Sequence, residues 1–329
     1  MTQLHSDSWE LLRSTRLAHS LVAGPVLAEL ARHDERIVCL SADLGIPTRL
    51  AEFGRVHPDR FFDVGIAEKN MISIAAGLAA CGKLPYCSSY ASFLALLGCE
   101  QIRTDVAYPN LNVRLIGTHA GIALGFYGTS HHATEDLAIV RSMANMTIVC
   151  PSDANSFRWL LEESVEYQGP MYFRVSRGRD GVVYEHRPDG FCIGGAVELR
   201  PGGDVAVLAL GTMVQPALDA AIQLAEKGIE ARVLDVHTVK PLDREAVICA
   251  AQDTGAVLTV EEHNILGGLG GAVAEVLLEA GVSCRFARHG IRDEYALIGP
   301  PFHLYRHYGL DADGIAAAAL VLLADKAAL

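Results

Sequence analysis

The feature that most constrains this chain is its rhythm: short apolar runs with strand character alternate with helical patterns over most of its length. The strand-like runs are IVCLSADL (37–44), LPYCSSY (84–90), NVRLIGTH (112–119), MTIVCPS (146–152) and MYFRVS (171–176). Helical patterns separate most of them, including 93–107 and 153–167, and Ser152-Asp153 supplies an N-cap signal for the latter. Such a βαβα order predicts a mostly parallel sheet with helices on both faces. The stretch 176–203, rich in Gly, Arg, Pro and Asp, reads as a domain boundary. A second α/β unit follows, with VAVLALG (205–211), a helix over 213–227, a helix over 243–252, AVLTVEE (256–262) and an Ala-rich helix over 314–327. The expected architecture is α/β, with two open, mostly parallel sheet domains over 1–185 and 190–329.

Half of the 329 residues are hydrophobic, ample for two cores. A net charge of −12 argues against nucleic acid or an anionic membrane as partner. No apolar run free of polar residues approaches the ~20 residues of a membrane span, so no span is expected. The N-terminal MTQLHSDSWELLRSTR has no apolar signal core. Eight cysteines are scattered with no C-x-x-C pair. They read as small core residues in a reducing cytoplasm, and no zinc or other metal site is expected within the chain.

Three segments concentrate chemistry. In Asp63-Val64-Gly65-Ile66-Ala67-Glu68-Lys69-Asn70-Met71, a strand end runs into the apolar helix pattern 72–81. Glu68 is thereby placed on a first helical turn at the carboxyl end of a strand, where open α/β sheets bind ligands. A buried carboxyl there is costly unless something uses it, although the helix dipole alone also favours an acid in a first turn. The stretch 117–136 holds four glycines and three histidines between a strand and a helix. Glycines permit close backbone approach, and histidines move protons near neutral pH. In Tyr90-Ala91-Ser92-Phe93-Leu94, an aromatic at a strand-to-helix junction suits stacking on a ligand ring or filling the core.

Taken in order, the chain carries Asp43-Leu44, G-I-A-E-x-x-M (65–71), S-F-L (92–94), T-H-x-G-I-x-L-G-x-x-G-x-S-H (118–131), N-M-T-I-x-x-P-S-D (145–153) and S-R (176–177). V-K-P-L-D (239–243) and V-E-E-H-x-I-x-G-G-L-G-G (260–271) follow. This ordered set resembles the transketolase superfamily of thiamine-diphosphate enzymes over essentially the whole chain. The resemblance implies a pyrimidine-binding domain followed by a transketolase C-terminal domain. Glu68 then matches the glutamate that hydrogen-bonds the aminopyrimidine ring of the cofactor, and Phe93 the aromatic stacked on that ring. Leu96 and Cys99 stand where two further family aromatics would be, and Asp43 falls near the cofactor cleft. His131 matches a histidine that contacts substrate oxygens and assists proton transfer. His119, Arg177 and Arg16 match groups around the substrate phosphate. Tyr127 replaces the family's aspartate for a sugar hydroxyl, and His132 occupies a usual glutamine position without an assigned role.

No G-D-G occurs in the sequence, the motif that in a full transketolase holds Mg²⁺ (or Ca²⁺) and the diphosphate. The resemblance therefore implies one subunit of a split enzyme. An N-terminal transketolase subunit would supply the metal and diphosphate site, and two chains of each kind would form a heterotetramer. The implied substrate is a sugar phosphate or sulfosugar that gives or takes a two-carbon ketol unit. A β subunit of a 2-oxo acid dehydrogenase has the same two domains and is the alternative, and a catalytically silent dimerisation subunit is a further one. Arg16, His119 and Arg177 favour transketolase, because a short 2-oxo acid has no distal anion to bind. Glu68 and His131 speak against a silent subunit.

Overall fold

The structure, a computed structural model, describes residues 22–177 and 181–324. Its first sheet has the order β10-β5-β6-β4-β3-β1-β2. The strands are β1 (Ile37–Ser41), β2 (Phe61–Asp63), β3 (Leu84–Tyr90), β4 (Arg114–Thr118), β5 (Thr147–Val149), β6 (Met171–Arg174) and β10 (Thr238–Lys240). All neighbours run parallel except β10 and β5. Every residue of β1, β4 and β6 is buried, as helices on both faces require. Alternate residues of β1 serve opposite cores. Ile37 and Cys39 meet helices α1 (Ala23–Leu30) and α5 (Ala154–Ser164), while Val38 and Leu40 meet α3 (Glu68–Ala80). Helix α3 buries Glu68, Met71, Ile72, Ala75 and Ala76, the spacing of a single helical face. Helix α2 (Ala51–Val56) joins α1 and α5 through Phe53, and helix α4 (Asp136–Arg141) joins α3 through Leu137 and Val140.

The stretch 93–107 departs from the single regular helix expected. Two wide, π-type turns, Phe93–Leu97 and Ile102–Ala107, flank a short α-helical piece, Cys99–Gln101. Gly98 lies so close to α3 that an added Cβ would sit 2.3 Å from the Ile72 Cδ1. The backbone therefore follows the surface of its neighbour rather than its own period, and π-type turns are frequent beside functional sites.

The second sheet has the order β12-β11-β8-β9-β7. Its strands are β7 (Val197–Arg200), β8 (Val205–Ala209), β9 (Ala231–Asp235), β11 (Ala256–Asn264) and β12 (Arg285–Ile291), parallel except for the β7 edge. Helices α6 (Val214–Ala225), α7 (Arg244–Thr254), α8 (Leu269–Glu279), α9 (Pro301–His307) and α10 (Ala312–Ala324) cover it. Residues 301–324 have the length and mean hydropathy, 1.2, of a membrane span. A turn at 308–311 divides them, and Ile315, Ala316, Ala319 and Leu322 of α10 pack into the second core.

The two halves are stitched together more tightly than a plain linker would allow. Strand β10 belongs to the second half of the chain yet forms the edge of the first sheet, and the Cys150 N–H donates to the His237 carbonyl at 2.8 Å. The hydroxyls of Ser152 and Tyr184 both donate to Asp235 Oδ2 at 2.7 Å. Tyr184 and Phe191 are buried in the core under the first sheet, although the residues around them read as linker. Asp153 fixes this strap. As the expected N-cap of α5, it accepts the Ser156 N–H through Oδ1 at 2.8 Å and closes a capping box. Its Oδ2 accepts the backbone N–H groups of Val183 and Tyr184, each at 2.9 Å. Asp153→Ala removes a cap and leaves two further N–H groups unpaired, so a loss of about 3 kcal/mol is expected in urea unfolding. A loss under about 1 kcal/mol would mean that the strap is held by something else.

Candidate active site

The carboxyl ends of the parallel strands open on one edge, and the singled-out residues gather there. Glu68 opens α3 after β2, Tyr90 ends β3, His119 follows β4, and Arg177 lies three residues beyond β6. Glu68 is 6% exposed, and Ser89 Oγ donates to its Oε1 at 3.0 Å. Asp63 ties the neighbouring turns together, its Oδ1 accepting the N–H groups of Asp43 and Gly65, each at 3.0 Å. Asp43 is exposed and holds φ 60°, so Asp63 fixes its backbone at the mouth of the cleft.

Five rings form a contiguous group beside Glu68's helix. Tyr90 lies 4.4 Å from His119, 5.6 Å from Phe93 and 5.9 Å from His131, between centroids. His131 lies 5.2 Å from Phe93 and 4.9 Å from Tyr127. Burial, then the charges of Arg177 and His131, push the His119 pKa down to about 4, so its ring is neutral at pH 7. Its Nδ1 is 3.0 Å from the Thr118 hydroxyl, whose own proton goes to the Ser89 carbonyl at 3.2 Å. Nδ1–H is therefore the donor, and Nε2 carries the lone pair. His131 has a similar arrangement. Its Nδ1 is 2.8 Å from Ser130 Oγ, which donates to the Tyr127 carbonyl at 3.3 Å, and burial lowers its pKa. The half-buried His131 ring can thus take up a proton at Nε2. Arg177 is exposed, and its charge acts on both His119 and Tyr90.

The loop carrying the histidines is pinched at its base by paired backbone bonds between Gly121 and Ala133, at 3.0 and 2.9 Å. Below it, Arg174 is buried. Its Nε donates to both carboxylate oxygens of Asp136, at 3.1 and 3.0 Å, and its Nη2 donates to the Ala133 carbonyl at 2.9 Å.

The structure thus brings together Glu68, Phe93, His119, Tyr127, His131 and Arg177, with Asp43 at the margin. Leu96 is exposed, and Cys99 lines a cavity of about 400 Å³ with Arg103, Tyr108 and Met143. Phe93 is therefore the aromatic that 93–107 brings to the ring group. Arg16 lies outside the described residues. Tyr90, Ser89, Asp63 and Arg174 were not singled out from sequence as site residues. Of these, only Tyr90 carried a legible signal, as an aromatic closing a strand at the ligand edge.

Residues 16–180 match the transketolase pyrimidine binding domain, and residues 194–315 match the transketolase C-terminal domain. The chain belongs to the transketolase family. It is 43% identical to the 6-deoxy-6-sulfo-D-fructose transketolase subunit SqwH of Clostridium sp., over 89% of this chain and 91% of that one. It is 41% identical to an apulose-4-phosphate transketolase subunit of Phocaeicola vulgatus, over 89% of this chain and 94% of that one. A solved split gene transketolase, described as an inactive beta4 tetramer, is 41% identical and superposes with a TM-score of 0.84. That likeness covers 94% of this chain and 98% of the other.

The family's cofactor fits the residues present. Among the described residues no cation forms an ion pair with the buried Glu68 carboxylate, and Ser89 is its side-chain hydrogen-bond partner. Such a group suits a ligand nitrogen that shares a proton with it. Two glycines of the site give a paired test of the local packing. Gly121 holds φ +68°, and an added Cβ would fall 2.2 Å from the Glu262 carboxylate; Gly65 holds φ +74° with nothing within 4 Å. Gly65→Ala is expected to cost only the backbone strain, about 1–2 kcal/mol, and Gly121→Ala clearly more, read by thermal unfolding. Equal losses would show that the loop has room to yield.

Proposed function

We propose that the chain is the pyrimidine-binding subunit of a split transketolase that moves a two-carbon ketol unit between phosphorylated or sulfonated sugars. The observation that carries this reading is the meeting, at one strand edge, of the buried Glu68 with His131 and with the His119–Arg177 pair. The relatives named for a sulfofructose and for apulose 4-phosphate support an anionic sugar. Their names also favour ketol transfer over a 2-oxo acid dehydrogenase.

When bound, thiamine diphosphate supplies the electron sink for breaking and making the ketol carbon–carbon bond. Glu68, oriented by Ser89, would share a proton with the aminopyrimidine ring nitrogen. Phe93 would offer that ring an aromatic face, with Asp43 at the margin of the cleft. His131 Nε2 takes and returns a proton at a substrate oxygen. Arg177, His119 and Arg16 hold the terminal anion through charge-assisted bonds. Tyr127, packed on His131, stands where a carboxylate would otherwise select a sugar hydroxyl. The metal, Mg²⁺ or Ca²⁺, and the diphosphate belong in this reading to an N-terminal transketolase subunit, with two chains of each kind in a heterotetramer. The relatives named as subunits, and a tetramer of one chain type described as inactive, support a need for that partner. The eight free thiols support a cytoplasmic enzyme.

Glu68→Ala in the reconstituted pair is expected to lower ketol transfer by about 10²–10⁴-fold with the fold retained by circular dichroism. Undiminished turnover would remove Glu68 from this role.

The anion site has a readout independent of turnover. The folded pKa of His119, about 4, lies below its ordinary 6.5. The unfolded chain therefore takes up this proton first, and the His119 contribution to stability falls as pH drops from 6.5 towards 4. A bound anion favours the charged ring, so inorganic phosphate is expected to raise the His119 midpoint measured by NMR. Arg177→Ala is expected to require about tenfold or more phosphate for the same shift. A midpoint indifferent to phosphate would move the anion site elsewhere.

A further inference from the structure

The run Val260-Glu261-Glu262-His263 at the end of β11 has no part in the reaction described above. Strand alternation sends its two glutamates to opposite faces. Glu261 stays within its own domain. It accepts the N–H groups of Leu269 and Gly270 at 2.7 and 2.8 Å and so closes the N-terminus of α8. Glu262, 2% exposed, turns across the seam to the first domain. Its Oε1 accepts the Ile122 N–H at 2.7 Å and the Tyr305 hydroxyl at 2.8 Å, and its Oε2 accepts the Thr212 hydroxyl at 3.1 Å. Gly121 lies directly on this carboxylate.

The same stretch of β11 also holds the other leg of the loop. The Glu262 carbonyl accepts Arg174 Nη2 at 2.8 Å, the nitrogen that also donates to the Ala133 carbonyl. The Asn264 N–H donates to the Thr134 carbonyl at 2.8 Å. Both legs of the loop between His119 and His131 are therefore tied to two residues of the second domain, Glu262 and Asn264. Further backbone bonds hold the first leg: Ala120 N–H to the Val175 carbonyl, the Gly121–Ala133 pair and, further along the loop, the Gly299 N–H of the second domain to the Gly125 carbonyl at 3.2 Å.

We infer that Glu262 is a positioning residue of the active site: its carboxylate, held by Thr212 and Tyr305, fixes the Gly121–Ile122 turn and through it the placement of His119 and His131 against Tyr90 and Phe93. This rests on the reading of that loop as the substrate side of the site. The second domain thus shapes the site through this loop. A glutamine serves nearly as well as the glutamate. Its carbonyl oxygen keeps the Ile122 and Tyr305 bonds, and its amide donates to a Thr212 hydroxyl that turns to accept.

The test uses the full chain reconstituted with its partner subunit, thiamine diphosphate and Mg²⁺, with hydroxypyruvate as donor. In Glu262→Ala, amide exchange over 119–135 is expected to rise about tenfold or more while β1, β3 and β4 keep their protection. The kcat is expected to fall about tenfold or more, since small misplacements of reacting groups are costly, with thiamine diphosphate affinity unchanged. Glu262→Gln is expected to restore both. Should Glu262→Ala not fold, Tyr305→Phe removes one donor to the carboxylate and is expected to give a smaller rise confined to the same segment. Unchanged exchange over 119–135, a rise spread evenly over the chain, or a Glu262→Gln variant as impaired as Glu262→Ala overturns the inference. A wild-type pair that transfers no ketol unit overturns the functional reading instead, whatever the exchange shows.

Discussion

The guanidinium of Arg174 is the junction on which the rest of this structure depends. It is 8% exposed and joins β6 to two stretches distant from it in sequence: 133–136, with Ala133 at the base of the histidine loop and Asp136 at the start of α4, and Glu262 at the end of β11. Asp136 is itself 1% exposed and also accepts the Tyr172 hydroxyl at 2.9 Å. Neither charge has water to fall back on. Removing one partner of such a buried pair typically costs ~3–5 kcal/mol, because the other charge is left stranded. That penalty gives the junction its stiffness. The charge pair locks strand β6 to helix α4, and the same guanidinium, so fixed, holds the loop and the second sheet through the Ala133 and Glu262 carbonyls.

Most of the fold is legible in the sequence for a plain reason. Parallel strands covered on both faces, such as β1 and β4, have to be apolar along their whole length, and the runs 37–44 and 112–119 show it. The Asp153 cap is legible because capping is a local matter. What escaped was set by tertiary contact. The π-type turns at 93–107 answer to the closeness of Gly98 and Ile72, which no helical period records. Strand β10 has three residues, too few for any alternation to declare itself. Tyr184 and Phe191 anchor the strap from three-residue apolar patches, 182–184 and 191–193, too short to show a period in a stretch otherwise rich in Gly, Arg, Pro and Asp.

The site divides along the same line. Glu68 stood out because an acid heading an apolar helix is conspicuous, and the histidines because they share a glycine-rich loop. Asp63 and Ser89 were invisible, since each matters only through the partner it meets in space. Tyr90 lay between these cases. Its position was marked, but its place at the centre of the ring group came only from the arrangement of β3 against the loop. The electrostatics follow from that arrangement. Neutral rings line the interior and the arginine charge stands at the exposed rim. An approaching anion meets the charge before it meets the shape.

The crossing of β10 into the first sheet changes what counts as a unit in this chain. Cut between residues 185 and 190, the N-terminal piece would lose its edge strand and expose the hydrogen-bonding groups of β5. Bare edges of that kind invite pairing with other chains. The two sheets therefore do not behave as beads on a string, and neither is a natural cassette for exchange between relatives. A graft that respects the covalent boundary but ignores the borrowed strand carries a sticky edge with it. The separable modules of this protein are drawn by its hydrogen bonds, and they overlap along the chain.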